Sequence, residues 1–149
     1  MKFDISNLWT DTITVINKLP ARFSSNKKTD LYFKHILTGC NWHNVSQSQI
    51  NNVDSLSMIR VIVQVPKQDN YLPYTKWVYN PIGLTFCVGD YVFLGAIQEN
   101  IDCTNINNIL LQYKQNVIKI KSFQDATLPG QILPKIKNIS ISHYHIEGA

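Results

Sequence analysis

Apolar and polar residues alternate along most of this chain, and the alternation gives way to a helical pattern only once. Residues 12–17, TITVIN, are rich in β-branched side chains and place Ile13 and Val15 on one face, which predicts an opening strand. Residues 58–65, MIRVIVQV, put Ile59, Val61, Val63 and Val65 on one face and turn Arg60 and Gln64 the other way, the clearest two-residue period in the sequence. Residues 31–45, LYFKHILTGCNWHNV, carry strand-forming residues around Gly39. A glycine inside such a pattern predicts a bulge or bend, which carries one long strand across two faces of a barrel. Residues 84–97, LTFCVGDYVFLGAI, predict two short strands flanking Val88-Gly89-Asp90, with Gly95 closing the second. Residues 117–123 set Ile118 and Ile120 opposite Lys119 and Lys121. After a turn around Leu128-Pro129-Gly130, residues 136–146 predict a last strand with Ile139, Ile141, His143 and His145 on one face.

The helical exception lies near residues 105–114. Ile106, Ile109, Leu110 and Tyr113 recur at the spacing of one helix face, with Thr104 as the expected N-cap and Asn116 as a left-handed end. A short helix is marginal in water, so its stripe predicts packing against the open end or the uncovered face of a sheet structure. The expected fold is mainly β: a small β-barrel or β-sandwich of roughly six to eight strands with one short amphipathic helix, in a single domain spanning 1–149.

Two segments show neither period and are read as irregular loops. Residues 18–30, KLPARFSSNKKTD, hold the only cluster of basic residues, Lys18, Arg22, Lys27 and Lys28, expected as a mobile basic arm or, more plainly, a solvated loop. Residues 66–81, PKQDNYLPYTKWVYNP, have too much proline for a central strand. Their aromatic surface either folds over the core or projects into a partner, which makes Tyr71, Tyr74, Trp77 and Tyr79 candidate interface residues.

Composition narrows the function classes. With 44% hydrophobic and 16% charged residues the chain suits one compact domain, and its polar positions go largely to Asn, Ser, Thr and Gln, a surface suited to contact with other protein. The formal charge of +4 is spread along the chain, whereas a duplex binder concentrates Arg and Lys on one face. Tyr74, Lys76, Trp77 and Tyr79 come nearest to a single-strand stacking set, but in a proline-rich loop. Cys40, Cys87 and Cys103 are odd in number and far apart, which argues against a disulfide framework and for synthesis in a reducing cytoplasm. MKFDISNLWT has acid and polar residues where a signal peptide is apolar, and no apolar run reaches membrane-spanning length.

Candidate chemistry is sparse. His143-Tyr144-His145 sets two imidazoles on one side of a strand and Cys40-x-x-His43 is half of a zinc pattern, each without further ligands at suitable spacing. There is no glycine-rich phosphate loop and no nucleophile-base signature; Asp90 beside Gly89 reads as turn chemistry, and Asp54 and Asp125 have no partner at recognisable spacing. The expectation is a non-enzymatic protein with no cofactor and no metal.

Several of these features together resemble a known family. Gly39-Cys40-x-Trp42, Asp54-Ser55 leading to a strand that ends in Val65-Pro66, Gly89-Asp90-Tyr91-Val92 with Leu94-Gly95, the INNILLQYK helix and a last strand ending in Glu147-Gly148 resemble small virion proteins of tailed bacteriophages. The closest role is the head-completion or stopper protein of the head-tail connector, a minor capsid protein. The resemblance implies a small β-barrel with a helix, assembled as a ring (hexamer or dodecamer) in the neck of the virion, with the adaptor and portal above and the tail terminator or tail tube below. Such a ring continues the channel for genomic DNA, helps retain packaged DNA, and carries no catalytic residues. A tail terminator or other neck or tail component is the alternative within virion proteins. A small nucleic-acid-binding β-barrel is the alternative from another class.

Overall fold

The structure is a computed structural model that describes residues 3–4, 8–47, 58–126, 139–140 and 143–149. Its elements are β1 (Phe3–Asp4), β2 (Asp11–Leu19), a 3-10 turn (Ala21–Phe23), β3 (Leu31–Gln47), β4 (Met58–Pro66), α1 (Tyr74–Trp77), β5 (Tyr91–Leu94), α2 (Ile106–Gln112), β6 (Val117–Asp125), β7 (Ile139–Ser140) and β8 (His143–Gly148). Strands β2, β3, β4, β8, β6 and β5 close in that order into a barrel, all paired antiparallel, while β1 and β7 form a separate parallel pair. The mainly β fold with a short amphipathic helix is therefore present, as a barrel rather than a sandwich. The turn expected around Leu128-Pro129-Gly130, most of the polar stretch 46–55, and Ile136 and Ile141 lie outside the described residues.

Alternation sets the barrel interior. Ile13 and Val15 of β2, Val61, Val63 and Val65 of β4, Val92 of β5, Ile118 and Ile120 of β6, and Tyr144 and Ile146 of β8 all point into one core cluster. At roughly 25 cal/mol for each Å² of apolar surface removed from water, this packed lumen is the main source of stability. Gly39 does what its position predicts: at φ 69° it bends β3, so that Leu31–Cys40 pairs with β2 and Asn41–Gln47 pairs with β4. One strand thereby serves two walls.

The helix lies on the outside of the wall. Ile106 and Ile109 are buried. Ile109, Leu110 and Tyr113 pack with Ile16, Phe93 and Ile97 in an outward-facing apolar cluster on β2 and β5. Two expected ends of this helix differ from the sequence reading. Asn105, not Thr104, stands at the N-cap position, and the Asp102 carboxylate accepts from the Thr104 and Asn105 backbone N–H groups. Asn116 is not left-handed, since the helix closes at Tyr113 with φ −106° and the Asn116 carbonyl instead accepts from Leu94 N–H.

Residues 84–87 also depart from expectation, because they form no strand beyond a bridge between Leu84 and Tyr71. A side chain has taken the place of the ladder: the Asn17 amide donates to the Thr85 carbonyl at 2.6 Å and accepts from Thr85 N–H at 3.2 Å. The loop expected to begin at Lys18 begins at Pro20, since Lys18 and Leu19 still pair with Tyr32 and Leu31.

Candidate functional site

The two irregular segments meet. Residues 67–86 fold back on themselves through Leu72 N–H to the Leu84 carbonyl (2.8 Å) and Leu84 N–H to the Asn70 carbonyl (3.0 Å), and in between they wind α1. Gly83, at φ 91°, allows the return, because a Cβ there would press on the Asn70 carbonyl oxygen. Trp77 is fully buried at the end of α1, donates its indole N–H to the Gly83 carbonyl at 3.0 Å and meets Phe33 edge to face. With Leu19 and Val78 it makes a small core of its own, against which Phe23, Leu31, Leu72 and Tyr74 pack. This cap is a satellite core laid against the barrel.

The candidate interface aromatics therefore separate. Trp77 belongs to the fold. Tyr71 packs among Phe86, Phe123 and Tyr144 at 4.8–6.0 Å between ring centroids, and Tyr74 is half-buried against Trp77. Tyr79 alone of the four stands out, 80% exposed, with Ile82 nearby at 70% and Phe23 edge to face against the Tyr79 ring. The basic cluster divides likewise. Lys18 pairs with Asp30 at 3.4 Å, Arg22 lies over the Phe23 ring, and Lys27 and Lys28 are exposed. The loop that carries them is held by Asp30 accepting from Ala21 N–H and by Asn26 accepting from Lys28 and Thr29 N–H and from the Ser24 hydroxyl.

Beneath the cap the Asp90 carboxylate is almost completely buried. It accepts from the Asn17 amide (2.9 Å), Lys18 N–H (3.2 Å) and Cys87 N–H (3.2 Å), and so ties the turn after residue 87 to the end of β2. Burial pushes its pKa up to about 6 against the pull of these donors. Beside it opens a cavity of about 220 Å³ lined by Lys18, Tyr32, Tyr74, Tyr91 and Lys119, with Val88 among its walls.

At the opposite end of β4 the barrel has a second feature. β8 accompanies β4 only as far as the Val61–Gly148 pair, yet Val45, Ser46 and Gln47 continue to pair with Arg60, Ile59 and Met58. A two-stranded ribbon thus leaves the barrel, and its outer edges pair with no other described strand. A cavity of about 460 Å³ sits at its foot, lined by Trp42, Asn44, Val61, Lys114 and Val117 among others.

Metal-like pairs gain no third ligand. No group of three or more His, Cys, Asp or Glu suited to a metal occurs among the described residues. His145 meets Glu147 at 3.1 Å, and burial pushes the Cys40 thiol up to about 12, so that it is an inert core residue. No described helix is long and apolar enough to cross a membrane.

A family model matches residues 8–149. The chain belongs to the DUF6751 family. That family is described as one of unknown function. No curated protein and no solved structure matches the chain.

The family match spans every feature above except β1. Sequence reasoning missed two of them in this DUF6751 chain. Asp90 looked like a turn residue because its partner Asn17 lies 73 residues away. The ribbon was hidden because the pattern of β4 is the same where it pairs with β8 and where, at Met58–Arg60, it pairs with β3 alone among the described strands.

Proposed function

We propose that the chain is a non-enzymatic structural subunit of a tailed-bacteriophage neck, the head-completion or stopper ring that joins portal and adaptor to the tail and helps retain packaged DNA. The observation that carries the reading is the ribbon. A two-stranded hairpin is marginal in water on its own, and exposed strand edges invite pairing with another chain. A subunit that projects one is built to be completed by a neighbour. In a ring each copy contacts the next through unlike faces, so that a projecting ribbon on one face and a socket elsewhere suit closure by rotation. The exposed Tyr79 and Ile82 on the cap, on another face, suit a different partner above or below the ring. The resemblance to head-completion proteins in Gly39-Cys40-x-Trp42 and Gly89-Asp90-Tyr91-Val92 points the same way. Synthesis is in the host cytoplasm and the final location is the virion.

Cryo-electron microscopy of phage particles from the source tests this. The expected result is a ring of this barrel between adaptor and tail, with each ribbon against a neighbouring copy. Density stacked on the tail tube with no contact towards the portal would reassign the chain as a tail terminator. Absence from the particle would overturn the proposal, and salt-dependent binding of short DNA by the isolated chain would then favour the nucleic-acid-binding alternative.

A further inference from the structure

We propose that the cavity beneath the cap binds a single carboxylate group, presented by an acidic side chain of a partner protein; this rests on the assembly reading above. The cavity gathers hydrogen-bond donors that have nothing to bind. The hydroxyls of Tyr32, Tyr74 and Tyr91 and the ammonium of Lys119 have no hydrogen-bond or ion-pair partner among the described residues, yet all four residues line one space of about 220 Å³. Lys18 lines it too, and its pair with Asp30 at 3.4 Å is between half-exposed ends, a contact weak enough to be shared with an incoming anion.

The charge of the ligand follows from what the wall already contains. Among the described residues Asp90 is the only carboxylate lining the cavity, and its oxygens are taken by Asn17, Lys18 N–H and Cys87 N–H. It holds the wall together and offers no ligand to a cation, which the two ammonium groups would in any case repel. An anion, by contrast, meets two cations and three phenolic donors, and hydrogen bonds to a charged group are the strong ones. The size of the ligand follows from the space. A nucleic-acid backbone is held by a row of cations matched to successive phosphates, and here two lysines converge on one pocket. Val88, 63% exposed at the edge, gives an apolar contact for the residues beside the incoming acid, as expected where a protein surface anchors a partner.

The test is an amide NMR titration of the full chain with N-acetylglutamate N-methylamide, N-acetylglutamine N-methylamide and inorganic phosphate in parallel. Saturable shifts confined to the amides of Lys18, Val88–Tyr91 and Lys119 are expected with the glutamate compound and not with the glutamine one. Lys119→Gln, a change at an exposed position, and Tyr91→Phe should each weaken the binding by about three- to fivefold while leaving the rest of the spectrum in place. Shifts scattered over the surface, equal shifts with the neutral glutamine compound, or binding unchanged in both variants would overturn the proposal. Phosphate binding at the same amides more tightly than the carboxylate would also overturn it and make the cavity a phosphate site. None of these results depends on ring assembly, so failure here leaves the neck reading to be decided by the particle images, and the reverse.

Discussion

The cap and the ribbon reverse what their sequences suggest. Residues 67–86 have no period and abundant proline, yet their own backbone hydrogen bonds fold them back and a buried tryptophan and an aromatic cluster bind them to the barrel. The ribbon joins β3 to β4, whose alternation is the most regular in the chain, yet its last pairs leave the barrel with their outer edges paired to no other described strand. The difference teaches that regularity measures how well a segment pairs, whereas anchorage depends on what its side chains bury. Trp77 anchors an irregular loop; a perfect alternation anchors nothing where no wall continues beside it.

Removing the anchor has the largest effect. Trp77→Ala should cost about 3–5 kcal/mol, because it leaves a cavity in the satellite core and takes away the hydrogen bond to Gly83. Urea denaturation should show one shifted transition, since Leu19 and Phe33 of the barrel strands share that core. An unshifted transition would break the comparison by making the cap an independent flap.

The next effect is a pH dependence beneath the cap. Because burial raises the Asp90 pKa from 3.8 to about 6, the folded state keeps a proton that the unfolded chain has already released between these values. Its contribution to stability is complete below the unfolded value and is lost as pH rises to about 6, by up to about 3 kcal/mol. His35 acts in the opposite sense: burial lowers its pKa below 6.5 and its Nε2 has no hydrogen-bond partner among the described residues, so its contribution grows as pH rises towards that value. Stability measured against pH for the wild type and for Asp90→Asn isolates the carboxyl: the wild type should lose ground relative to the variant over this window. A pH-independent difference would mean that the carboxyl is not held as the buried clasp described.

The smallest effect on folding, and the sharpest test of the contrast, comes from shortening the ribbon. Joining Val45 directly to Arg60 through an Asn-Gly turn, which suits a two-residue hairpin, should change stability by no more than about 1 kcal/mol. Association of the trimmed subunit with its own copies should be lost, as read by light scattering and by its absence from particles. A trimmed chain that no longer folds would show that the ribbon supports the barrel instead of projecting from it.

Much of the barrel was legible because its signals are local. Val61, Val63 and Val65 take the interior positions that two-residue alternation assigns them, Gly39 bends β3 where a strand interrupted by glycine should bend, and Ile109, Leu110 and Tyr113 of the helix stripe face the outer wall of β2 and β5. The expected first strand of residues 84–97 failed for a non-local reason, the Asn17 side chain occupying the backbone groups of Thr85. Thr104 does not cap α2 because the Asp102 carboxylate already takes its backbone N–H and its hydroxyl, together with Asn105 N–H, in the turn before the helix.

Sequence alone determined the class of the fold, the inward face of β2, β4 and β6, the bend at Gly39 and the existence of one amphipathic helix, since each depends on residues a few positions apart and on backbone geometry common to all proteins; in β8 the inward residues are Tyr144 and Ile146, not the face of His143 and His145. Tertiary structure decided that the aromatic loop is a cap, that Asp90 is buried under it beside a cavity whose donors are unpaired among the described residues, and that Met58–Arg60 of the ribbon pair with β3 and with no other described strand. Each of these depends on which distant segments lie side by side, and so on burial and strand length in three dimensions, which no local period encodes.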